Sequence, residues 1–110
     1  MKAYLDLLSL NVTANGAVSA NTFVGFDGAT CGADAVPFGQ AHYDQVSGRE
    51  VACIVLGIAV VKATGAIAKG DRLVTVVGGG VKTAPGGAVN PFGRALDAVA
   101  DGEQVRILMR

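Results

Sequence analysis

One stretch of this chain returns almost whole near its end, and that duplication limits the possible folds more than any other feature. "VPFGQAHYDQVSGREVACIVLG", from Val36 to Gly57, is echoed by "NPFGRALDAVADGEQVRILMR", from Asn90 to Arg110. Pairing Pro37 with Pro91 sets a spacing of 54 positions (91 minus 37). Without a gap, Phe38 then falls on Phe92, Gly39 on Gly93, Ala41 on Ala95, Gly48 on Gly102 and Val51 on Val105. At the same spacing Gly25 meets Gly79 and Gly32 meets Gly86. Further upstream, "NGAVSANTFV" (Asn15 to Val24) resembles "TGAIAKGDRLV" (Thr64 to Val74) once one residue is inserted.

Two units of about 50 residues are too few for a solenoid, which needs about three to bury a core. The expectation is therefore one closed, pseudo-symmetric domain over residues 1–110, an ordinary length for a single core. Its halves run over about 12–58 and 60–110, which leaves residues 1–11 as an N-terminal arm or edge strand.

The strands are legible from side-chain alternation. In "EQVRILMR", Val105, Ile107 and Met109 share one face while Gln104, Arg106 and Arg110 share the other, as in a strand with one wet side. Burying those three side chains contributes roughly 1.5 to 3 kcal/mol each, so the tail is structural. The counterpart strand differs. Val51, Cys53 and Val55 predict a core face, but Ala52, Ile54 and Leu56 make the opposite face apolar as well. Either the N-terminal segment of the same chain covers that second face, or a neighbouring subunit does, and Ala52, Ile54 and Leu56 are the candidate subunit interface.

"GRALDAVADGE" has helix-forming residues, but Pro91 and the Asp101-Gly102 turn bound it, and its counterpart "GQAHYDQVSGRE" is a poor helix. The predicted fold class is all-β, a small pseudo-symmetric barrel or sandwich of about eight short strands. The glycine-rich "FDGATCGADAVP" and "VGGGVKTAPGGAVNP" are expected to lie on the surface.

Composition excludes several functions. Nine basic and nine acidic residues cancel without forming a run, so no basic face is available to displace counterions from nucleic acid. The apolar run Val51 to Val61 is too short for a bilayer span of about 20 residues, and Asp6 interrupts any signal-peptide core. A mature chain beginning at Met1 in a soluble compartment is expected. With 51% hydrophobic and 16% charged residues, and a mean hydropathy of +0.46, the surface is drier than a soluble monomer needs. Contact with other protein is the implied use. The "MKAYLDLLSL" segment lies outside the repeat and is apolar, which makes Lys2, Tyr4, Leu5, Leu7 and Leu8 a candidate contact arm.

Reactive groups are few. His42 is the only histidine and aligns with Leu96, so it reads as a tolerated strand position; of its two sequence neighbours only Asp44 could share its side. No Ser stands in a Gly-x-Ser-x-Gly elbow. Asp27, Asp34, Asp71 and Asp101 adjoin glycine or turn residues, where carboxylates cap backbone N–H groups; Asp97 does not fit that pattern. Cys31 and Cys53 match no metal spacing, and whether they pair is open. "GGGVKT" lacks the Gly before Lys that a phosphate loop requires.

"GAIAKGDRLVTV", "NPFGRALDAVADGEQVRILMR" and "NGAVSANTFVGFDG" together make the chain resemble the small capsid cement, or head decoration, proteins of tailed bacteriophages, from about Val12 to Arg110. The resemblance implies a β-rich, often trimeric virion protein. Such a protein is made in the host cytoplasm, binds the outside of an expanded capsid and bridges its major capsid protein subunits. It implies no catalytic residue and no cofactor, and Gly65, Ile67, Gly70, Asp71, Gly93, Ala95, Leu96 and Gly102 as scaffold. Two other readings stay open: a lipoyl or biotinyl carrier domain modified at Lys62 or Lys69, and a small-ligand-binding barrel.

Overall fold

The computed structural model describes residues 5–109. Eight strands form one antiparallel sheet curled into a half-barrel: β1 (Leu5–Thr13), β2 (Phe23–Gly25), β3 (Pro37–Ala41), β4 (Glu50–Lys62), β5 (Arg72–Thr75), β6 (Val81–Thr83), β7 (Gly93–Ala95) and β8 (Gln104–Met109). The order across the sheet is β2-β3-β4-β8-β7-β5-β6, with β1 paired to β4 off that path. The all-β expectation holds, and "GRALDAVADGE" supplies β7 and a turn, with no helix.

The duplication is written into the backbone hydrogen bonds. Val18 and Gln45 exchange N–H···O=C bonds, as do Ile67 and Val99. Asn21 donates to Ala41 and Gly70 to Ala95; Ala14 donates to Arg49 and Ala63 to Glu103; Gly48 donates to Ala14 and Gly102 to Ala63. In the sheet, Val12 lies opposite Val51 as Val61 lies opposite Val105. Two constant spacings generate all of these matches: 49 (67 minus 18) for residues 9–24 and 54 (99 minus 45) for residues 39–54.

The structural repeat therefore differs from the one read by eye. Its upstream segment aligns without an insertion, so Val18 matches Ile67 and Asn21 matches Gly70. β1 belongs to it from Ser9 onward, as the counterpart of residues 58–62 of β4, so the repeat reaches upstream of Val12. The second copy carries five more residues (54 minus 49) in its central loop, room enough for β6. That loop is also not confined to the surface, because Val81 in β6 is fully buried.

The copies fuse within β4, whose first half closes one and whose second half opens the other. "EVACIVLGIAVVK" sustains thirteen residues of strand because it is rich in β-branched side chains and free of proline. Gly57 sits in the middle at φ 128°, and a Cβ there would strike the Leu5 carbonyl oxygen. Only glycine lets β1 lie against β4 at this point.

Two clusters fill the interior. The smaller holds Ala14, Val18, Val24, Ala41, Val51 and Cys53, all from the first copy. The larger gathers Ala59, Val61, Ile67, Leu73, Val105 and Ile107 of the second copy and takes in Phe23 and Cys31 from the first. Phe23 meets Phe92 edge to face at 4.8 Å. Beside it, buried Gln40 donates from Nε2 to Val60 O at 2.6 Å and Asn21 O at 2.9 Å, tying the first copy to the second. Asp34 adds a latch: its carboxylate accepts the Val89 and Asn90 N–H groups, and Asn90 Nδ2 donates back to Asp34 O. Those two backbone donors hold the Asp34 carboxyl below its ordinary range. Both cysteines are free and buried, and burial pushes each thiol up to about 11.

Candidate docking surface

β1 pairs with β4 along one edge, and among the described residues no strand pairs with its other edge. Almost all of it is exposed: Leu5 at 53%, Leu7 at 65%, Leu8 at 45% and Leu10 at 47%. A long apolar strand with free N–H and C=O groups is a template for another chain, and soluble monomers usually blunt such an edge. Of the arm residues named from sequence, Leu5, Leu7 and Leu8 lie here; Lys2 and Tyr4, like Arg110, lie outside the described residues.

Register brings the arm and the candidate interface together. Leu8 lies opposite Leu56 and Leu5 opposite Ile58, so these four side chains share the outer face of the sheet. Leu56 is 37% exposed and Ala52 is half-buried. Ile54 faces the same way but is only 2% exposed, already covered within the single chain. Ser9 lies opposite Ile54 on one flank of β4, and His42, whose N–H donates to Ala52 O, lies on the other. Their side chains meet across the strand, Ser9 Oγ to His42 Nε2 at 2.8 Å.

With Asp6 added, this cluster has the composition of a nucleophilic triad but not its geometry. Asp6 Oδ2 lies 3.1 Å from the same His42 Nε2, and the Ser9 hydroxyl donates to Asp6 at 2.5 Å. Activation needs the carboxylate on one ring nitrogen and the serine proton on the other. Here the three groups form a tie that binds β1 to the β3 side of β4. The carboxylate at His42 is thus Asp6, 36 positions away (42 minus 6), while Asp44 caps the Ala20 N–H at 2.7 Å. Alternation alone cannot find a partner on another strand.

The other acidic residues act as their surroundings in the sequence suggest. Asp27 caps Ala29, Asp71 caps Ala68 and Asp101 caps Gly65. Asp97 holds Arg106 through Nε and Nη2, at 3.1 and 2.9 Å, and this pairing raises the guanidinium pKa. Among the described residues no group of three or more His, Cys, Asp or Glu could hold a metal, and no helix is long and apolar enough to cross a membrane. Lys62 ends β4 and Lys69 stands in the turn before β5. The copies join in mid-strand, so there is no hairpin tip between them to display a modified lysine.

Sequence reasoning missed the breadth of the outer face. Leu5 lies opposite Ile58, Ile58 opposite Leu108, Leu108 opposite Arg94 and Arg94 opposite Arg72, one row across five strands. At about 4.8 Å per strand the row is roughly 19 Å long. It is apolar at the β1 end and cationic at the β5 end. The alternation of β4 and β8 marks Ile58 and Leu108 as outward, but only the pairing aligns them.

The sequence matches the phage cement protein family over residues 5–110. The chain belongs to that family. It is a bacteriophage virion structural protein, a β-sheet part in which glycine and aspartate serve turns. The cement-family chain shares its fold with the head fiber gp8.5 N base of bacteriophage phi29, seen in a crystal structure. The TM-score is 0.73 at 22% identity, over 94% of this chain and 93% of that one. No curated protein matches it.

Proposed function

We propose that the chain binds the outer surface of an assembled phage capsid and stabilises it by bridging major capsid protein subunits, acting as a homo-oligomer with a trimer favoured. One observation carries this reading: a cement-family chain exposes four leucines on a sheet edge that has no strand partner among the described residues. Leu5, Leu7 and Leu8 with Leu56 and Ala52 form the apolar contact, and Ile54 supports it from beneath. The free edge offers main-chain hydrogen bonds to an added strand, and the leucines supply area. A molecule that binds the assembled shell and not its dispersed subunits lowers the free energy of the shell, and subunits tied together add avidity. The fold neighbour, a head fiber base, is itself a part of a phage head, which supports the same location.

The test combines Leu8→Asp and Leu56→Asp, with capsid occupancy read after gradient centrifugation and oligomeric state by sedimentation velocity. Occupancy should fall at least about tenfold, with the chain shifted toward monomer, because a carboxylate is being forced against apolar surface. Unchanged occupancy and unchanged sedimentation would refute this contact.

A further inference from the structure

The two copies differ at one pair of equivalent positions. Phe23 and Gln40 lie opposite each other in the β2–β3 ladder, and Arg72 and Arg94 lie opposite each other in the β5–β7 ladder. The spacings of 49 and 54 carry the first pair onto the second (72 minus 23, 94 minus 40). In the first copy the pair is buried against the second copy, with Phe23 on Phe92 and Gln40 on Val60 O. In the second copy no described residue covers it, and both arginines are exposed. Arg94 keeps the bond that Gln40 makes to the turn, donating to Gly70 O at 3.1 Å where Gln40 donates to Asn21 O.

Solubility alone would be met by any polar pair. Two guanidinium groups directly opposite repel each other, which weakens a ladder unless an anion lies between or over them. Among the described residues no carboxylate pairs with either of them. Arg106 is the arginine that pairs with a carboxylate among the described residues, and all nine acidic side chains already accept a hydrogen bond within the chain.

From this geometry we infer that Arg72 and Arg94 receive an acidic segment of a partner protein, one or two Asp or Glu carboxylates followed by an apolar side chain that lies on Leu108 and Ile58. Paired guanidinium forks match carboxylates bidentately, and the same row turns apolar one strand further on. A nucleic-acid backbone would use the cationic end and leave the apolar end unfilled. A second copy of this chain carries its acidic residues singly, with no acidic run to lay along the pair. The identity of the partner as the capsid shell rests on the functional reading above; the acidic chemistry does not.

The test uses the doubly substituted R72E/R94E and R72Q/R94Q chains with a K62E/K69E control, after thermal melts confirm folding. Phage heads stripped of this protein are the first probe. The glutamate variant should lose at least about tenfold in occupancy and the glutamine variant less, and the difference from wild type should shrink at about 0.5 M salt, where screening is strong. The control should bind as wild type. If R72E/R94E occupies heads as wild type does, the inference is overturned while the cement reading stands. If the wild type does not bind heads, the cement reading fails. The arginine pair is then judged on a synthetic peptide alternating Glu and Leu, which wild type must bind at least about tenfold more tightly than R72E/R94E. Absence of that difference, or tighter binding of a duplex DNA oligonucleotide than of the peptide, overturns the inference.

Discussion

β1 and the second half of β4 hold equivalent places in the two copies, yet one is a bare edge and the other is an interior strand. Leu10 and Val12 correspond to Ala59 and Val61 at the spacing of 49, and Leu10 is 47% exposed while Ala59 and Val61 are 0% and 3% exposed. Side-chain type does not explain this, since all four are apolar. Position in the fused assembly does. β4 has neighbours on both edges, with β1 on one and β3 and then β8 on the other, whereas β1 has β4 alone. A duplicated module covers itself at the internal junction and leaves its outer side open. The leucines on that open side are the ones the proposed contact uses.

The sharpest way to break this comparison is to put the same carboxylate on the bare edge strand and on the interior one. Ile54→Asp places an unpaired charge beneath the Ser9–His42 tie and should cost about 4 kcal/mol in urea unfolding. Leu5→Asp should stay within about 0.5 kcal/mol. Equal costs would mean that β1 is not an edge. Ile54→Asp therefore reports on folding, and Leu56→Asp is the variant that isolates contact.

A smaller effect is expected at Gly57, which lies opposite Asp6 where β1 shifts register. Gly57→Ala should cost about 2 kcal/mol and speed amide exchange selectively in β1, because a side chain there meets the Leu5 backbone. Uniform loss of protection across the sheet would show instead that β1 and the core open together.

Gln40 and Arg94 sharpen the comparison at the junction. Gln40→Ala leaves Val60 O and Asn21 O without their side-chain donor and should cost about 1 to 3 kcal/mol in thermal or urea melts. Arg94→Ala at the exposed equivalent should be within about 0.5 kcal/mol of wild type.

The smallest effect is local and depends on pH. The Asp34 carboxyl titrates below its unfolded value, so the stabilisation it brings is complete above about pH 4 and is lost as pH falls through the lower folded value. Amides of Val89 and Asn90 should gain exchange under those acid conditions before the β4–β8 ladder does. Asp34→Asn should flatten that acid response in NMR-detected exchange.

Much of the fold was legible because strands and turns are local. Val105, Ile107 and Met109 alternate into the core as read, and Asp27, Asp71 and Asp101 cap turns as their neighbours suggest. Less of the contact surface was legible. Leu5, Leu8 and Leu56 were separately suspect as apolar residues, but whether they meet depends on the register between strands some fifty positions apart. Arg72 and Arg94 gave no local signal at all.

From its sequence alone this protein is a duplicated, all-β chain with no reactive group at a motif's spacing, since repeat, alternation and turn chemistry are properties of neighbouring residues. Only the tertiary structure decided that the repeat starts within β1, that Ile54 is inside while Leu5 is out, and that two arginines stand face to face. Each of those depends on what the other copy covers, and coverage is a relation between distant segments that one-dimensional periodicity does not encode.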